Sequence, residues 1–140
     1  MYANAFFMGV KSVEILRGGQ TITNKKNQSI MVPQDFLETV NSREGYDGEM
    51  QYKTCGSDGI LTKMAKYRPK DSYALQLITM KDLYPGPNWS FCFGWASYTE
   101  GVGSFSFCRY DPAWDEIEDP DREKNLLMRG CAIMCHEIGH

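Results

Sequence analysis

The sequence predicts an α/β fold: a mixed twisted sheet with an antiparallel hairpin, packed against two helices. Three observations carry this. Residues 72–80 (SYALQLITM) form a β-tolerant apolar run of strand length. Residues 89–96 and 102–110 both alternate. The first places Trp89, Phe91, Phe93 and Trp95 on one face, the second Phe105 and Phe107, and the link at 98–101 is short enough for a hairpin. From Asp119 onward the chain reads as a helix, with Asp119 at the N-cap, Pro120 at the first helical position and Asp121 in the first turn.

The remaining elements follow in order. Residues 5–16 are apolar and read as a first strand, and residues 17–29 as a polar loop. Residues 30–33 suit a short strand, 35–40 a helical turn and 41–48 a loop. Tyr52, Cys55, Ile60 and Met64 recur at near-helical spacing, which predicts a first helix over 51–67, stopped by Arg68-Pro69. The strand at 72–80 is expected to be buried. Residues 84–88 carry turn residues, and the aromatic face of 89–96 is expected to pack in the core. Residues 111–123 form an acidic loop that lacks a calcium-loop pattern. In the last helix, Leu127, Cys131, Met134 and Ile138 make an apolar stripe for packing against the sheet.

The 140 residues have room for one domain. A net charge of −3 without a dense basic stripe argues against nucleic acid as the main partner. No apolar run approaches the roughly 20 residues that span a bilayer, and residues 1–16 lack the basic start and cleavage site of a signal peptide. Five cysteines without a C-x-x-C pair fit buried thiols in a reducing compartment. The default expectation is therefore a cytoplasmic or nuclear protein.

The chemistry is concentrated in His136-Glu137-Ile138-Gly139-His140, an H-E-x-x-H pentapeptide that contains both histidines of the chain. Residues four apart share a helix face, so His136 and His140 can offer two imidazoles to one zinc ion. Glu137 is rotated by about 100° and sits beside the metal, where it can act as general base for a zinc-bound water. The alternative is an ordinary helix end whose histidines satisfy the last carbonyls.

Further motifs stand in a fixed order before the pentapeptide: Asp82-Leu83-Tyr84-Pro85, Trp89-Ser90-Phe91, Phe93-Gly94, Gly101-Val102-Gly103, Ser106-Phe107 and Arg109-Tyr110. With them the chain resembles the archaemetzincins, zinc metallopeptidases of the metzincin group, most strongly from about residue 70 onward. The resemblance implies a metzincin-like N-terminal subdomain whose second helix carries H-E-x-x-H. It also implies a catalytic Zn2+ held by His136 and His140, and Glu137 as the catalytic base. The family pattern continues H-x-x-G-x-x-H-C. By that likeness, the third ligand would fall six residues after His140, and a second, structural zinc further on. Residues 1–140 are thus expected to be a single, incomplete catalytic domain acting on peptide or protein substrates, with aminopeptidase action as one form of that activity and with impaired activity as written. Residues 89–96 are the expected edge strand for an extended peptide. The competing expectation is a non-catalytic peptide-binding remnant of such an enzyme.

Overall fold

The computed structural model describes residues 19, 21–23 and 29–139. The strand expected over 5–16 lies outside the described residues, as does His140. In chain order the strands are β1 (Thr21–Thr23), β2 (Ser29–Met31), β3 (Ser42–Glu44), β4 (Met50–Lys53), β5 (Leu75–Thr79), β6 (Asp82–Tyr84), β7 (Gly94–Ser97) and β8 (Val102–Ser106). The helices are α1 (Ile60–Met64) and α2 (Arg122–Gly139).

β1 and β2 form an antiparallel ribbon. The other strands make two three-stranded sheets rather than one. The first runs β3-β4-β6, with β3 antiparallel and β6 parallel to β4. The second runs β5-β8-β7, with β5 parallel and β7 antiparallel to β8. A bridge between Leu83 and Cys92 ties β6 to the segment that leads into β7. Phe36, Val40, Ile60, Leu61, Met64, Leu83 and Val102 form the core, in which α1 packs against β8. Every residue of β8 is buried, as expected for a central strand covered on both faces. Among the described residues, no helix is long and apolar enough to cross a membrane.

Four expectations need correction. The helix expected over 51–67 is a strand (β4), a turn and then α1. The chain turns at Gly56, whose φ of +87° favours glycine. Gly59 caps α1 where an added Cβ would lie 2.4 Å from the Cys55 carbonyl oxygen. Tyr52 and Met64 shared an apparent helical period only because a strand and a helix lie end to end. Residues 41–48 contain β3, whose polar sequence hid it. The strand at 72–80 is β5, a sheet edge among the described residues rather than a buried strand, and Ile78 is half exposed. Only the end of 89–96 is strand, and its aromatics are not core: Trp89 is 55% exposed and Trp95 36%.

Beyond those four, the loop expected over 17–29 contains β1, whose pairing with β2 makes it a strand, and the run expected over 102–110 is β8 followed by a 3-10 turn at Cys108–Tyr110. A 3-10 turn covers Phe36–Thr39, β2 lies near residues 30–33, and the β7–β8 hairpin turns at Gly101, which has a positive φ.

Candidate active site

α2 is fixed in three places before it reaches the H-E-x-x-H segment. Asp119 closes its N-terminus: Oδ1 accepts from the Asp121 amide at 2.9 Å and Oδ2 from the Asn125 side-chain amide at 2.9 Å. One residue into the helix, Arg122 forms a two-pronged pair with Asp111, Nε to Oδ1 and Nη2 to Oδ2, both at 2.6 Å. Asp111 also caps the 3-10 turn Pro112–Asp115 through the Ala113 amide, so the connection from β8 and the helix start are held as one unit. The Arg122 guanidinium holds the Asp111 carboxyl below the usual aspartate range.

Gly130 supplies the third fixed point. A Cβ built there would fall 1.5 Å from Cε1 of Phe107, so the ring just beyond β8 lies directly against the helix backbone. Phe107 meets Phe105 edge-on at 5.3 Å, which carries the contact into the sheet. The expected stripe is corrected at Leu127, its first member. Leu127 is exposed, while Gly130 is buried. The helix approaches the sheet through its smallest residue, which a count of apolar positions cannot register. Cys135 is buried, and burial pushes its thiol pKa up.

α2 remains helical through Gly139. His136 lies on it and is exposed to solvent, with Glu137 next in the helix. Among the described residues, no group of three His, Cys, Asp or Glu side chains could hold a metal ion. The described chain thus provides one imidazole on a regular helix, adjacent to the position of the expected base.

A second constellation lies on the other sheet. Asp82 of β6 is 2% exposed. Arg109 grips it with Nε to Oδ1 at 2.8 Å and Nη2 to Oδ2 at 2.6 Å. The Gln51 side-chain amide donates to Asp82 Oδ2 at 2.6 Å and to the Ser90 carbonyl at 2.8 Å. Arg43 Nε donates to Gln51 Oε1 at 2.9 Å, and its Nη2 reaches the carbonyls of Trp89 and Ser90. The guanidinium of Arg109 also covers the Phe91 ring at 4.0 Å, and that of Arg43 covers Tyr84 at 4.0 Å. Burial pushes the Asp82 carboxyl up, but the bonds from Arg109 and Gln51 outweigh it, and the carboxyl sits below its ordinary range. Beside it, burial pushes the Cys108 thiol up to about 11.

This network holds the segment before β7 by its carbonyls. Beyond it, the Ser106 amide donates to the Phe93 carbonyl at 2.8 Å, which sets the alternation of the β7–β8 ladder. Trp95 and Ser97 therefore bond toward β8, while the amides and carbonyls of Gly94 and Ala96 point to the other side of β7, which among the described residues no strand pairs.

Comparison with known proteins adds the family. Archaemetzincin-2 of Homo sapiens is 36% identical over 104 residues, which cover 58% of this chain and 29% of that protein. Archaemetzincin-2 of Mus musculus matches at the same identity and coverage. Archaemetzincin-1 of Homo sapiens is 27% identical over 109 residues, covering 60% of this chain and 22% of that protein. Over these stretches the chain is similar to the archaemetzincins. It spans 29% of the length of the Archaemetzincin-2 relatives it matches. No family profile matches it, and no solved structure does.

The motifs that carry the resemblance gain a physical meaning from the network. Asp82, Arg109 and the pair Ser90-Phe91 come from three separate motifs of the sequence, yet they meet around the buried Asp82 carboxylate. Gln51 and Arg43 complete that network and carry no signal in the sequence. A buried acid needs a cation, and the Arg109-Tyr110 motif was the one available hint.

Proposed function

We propose that this archaemetzincin chain contributes to a zinc-dependent metallopeptidase that hydrolyses peptide bonds. The observation that supports the reading is that residues 136–139, the first four of the H-E-x-x-H sequence, lie on one continuous helix, with His136 exposed to solvent near its end. His136 and His140 are the residues that would hold the metal. Zinc, when bound, polarises the scissile carbonyl and acidifies a water. Glu137 accepts the proton of the attacking water and returns it to the departing amine. A hydrolytic zinc site uses three protein ligands, and this sequence holds two histidines.

The open side of β7 supports a second element of the reading. An extended substrate pairs there, taking the backbone groups of Gly94 and Ala96 as an added strand.

Zinc titration of the chain, combined with hydrolysis of a quenched-fluorescent peptide library, tests the proposal. His136→Ala is expected to remove zinc binding. Glu137→Gln is expected to keep zinc and to lower any hydrolysis by about 100-fold or more. Zinc binding that survives His136→Ala overturns the metal assignment. Peptide binding that ignores a chelator, with no hydrolysis, favours a non-catalytic peptide binder.

A further inference from the structure

The edge strand that receives peptide in the reading above differs on its two faces. The backbone of β7 alternates, so Gly94 and Ala96 lie on the face that also carries Gly103 and Phe105 of β8, while Trp95 lies with Ser104 on the opposite face. Phe107 continues the Gly103–Phe105 face and meets α2 at Gly130. On the α2 side, β7 therefore presents a hydrogen and a methyl group. On the other side it presents Trp95, 36% exposed, against which Trp89 of the preceding segment, 55% exposed, packs edge-on with ring centroids 5.8 Å apart.

The backbone that carries each indole is held in place. Arg43 binds the Trp89 carbonyl, and the pairing of Trp95 with Ser104 anchors the other. A strand added beside β7 places alternate side chains on the Trp95 face, within reach of cross-strand contact. A flat apolar side chain there covers the exposed indole surface, whereas a small polar one leaves it in water.

We propose that Trp95, supported by Trp89, is the specificity-determining residue of this edge, and that it selects extended peptides carrying an aromatic side chain at the position opposite it. This inference rests on the edge-pairing part of the proposed function and is independent of the metal. The small residues on the α2 side leave that face of the peptide unselected by β7.

The probe is a set of fluorescein-labelled octapeptides of alternating Thr and Ser, each with one Phe moved along the chain, with the all-Thr/Ser octapeptide as reference. Binding to the full chain is read by fluorescence polarisation. The expected result is about tenfold tighter binding of one Phe register than of the reference. Trp95→Thr reduces that preference to about threefold or less, and Trp95→Phe keeps it. Backbone N-methylation of the preferred peptide separates the two ideas. If N-methylation abolishes binding while Trp95→Thr leaves the Phe preference intact, edge pairing stands and the specificity assignment falls. If N-methylated peptide binds as well as the parent, edge pairing itself fails and the assignment with it. Absence of binding by every octapeptide also overturns it.

Discussion

The end of α2 and the surroundings of Asp82 are opposite kinds of site. The first is written in five consecutive residues, and its logic is the helix period alone. The second joins β3, β4, β6, the segment before β7 and the turn after β8, and Arg109 lies 27 residues from the carboxylate it holds. The helix end exposes His136, whereas the network buries Asp82. The difference teaches that, in this chain, the residues of the proposed chemistry and the residues that maintain the fold are separable. A change in one region should leave the other largely intact.

The largest expected effect tests that separation. Arg109→Ala leaves the Asp82 carboxylate buried without its cation. It should destabilise the chain by about 3 kcal/mol, the lower end for breaking a buried pair, because Arg109 keeps part of its side chain in solvent. His136→Ala should change the urea midpoint by less than about 0.5 kcal/mol in equivalent stability, as befits an exposed site. Equal losses from the two variants would remove the distinction.

Next in size is Gly130→Ala, which sets the new methyl against the Phe107 ring. The overpacking should cost about 1–3 kcal/mol, offset in part by the better helix propensity of alanine. Adding Phe107→Ala should make Gly130→Ala harmless or favourable, and a double-mutant cycle by thermal denaturation reads the coupling.

The pH dependence sharpens the same contrast. The folded pKa of Asp82 is depressed, so its contribution is fully present above the unfolded value, about 3.9, and is lost as pH falls through the lower folded value. Stability should therefore decline below about pH 4. Asp82→Asn should flatten that part of the decline, although Asp58, held at about 2 by Lys53 and Asn41, retains a share. Denaturant titrations at several acidic pH values would show this. Smallest is Ser104→Ala. Among the described residues the buried Ser104 hydroxyl has no hydrogen-bond partner, so its removal should be neutral or stabilising, within about 1 kcal/mol.

These two regions also explain what could be read in the sequence. α2, its Asp119 cap and the β7–β8 hairpin follow from local rules, and the folded chain has them. β4 was misread because Tyr52 and Met64 fell on a common helical period across a turn at Gly56. β3 was missed because Ser42, Arg43 and Glu44 carry no apolar alternation, and their pairing with β4 is what makes them a strand. Trp89 and Trp95 looked like core, since alternation reports a face but not whether another element covers it. The contact of Gly130 with Phe107 was silent because a missing side chain leaves no hydrophobic signal. Of the candidate site, the motif on α2 was legible. The Asp82 network was not, since nothing local links Gln51, Asp82 and Arg109.

The order of those contacts along the chain has a kinetic meaning. The β7–β8 hairpin closes over four residues, and such hairpins form in about 1–10 μs. The grip of Arg109 on Asp82 requires β6 and the turn after β8 to have met already, so it belongs to the late, long-loop part of folding. Weakening it should steepen escape from the native state far more than it slows arrival. In stopped-flow experiments, Arg109→Ala should raise the unfolding arm of the chevron and leave the refolding arm nearly in place. The buried fork would then act as a latch that sets how long each folded molecule lasts.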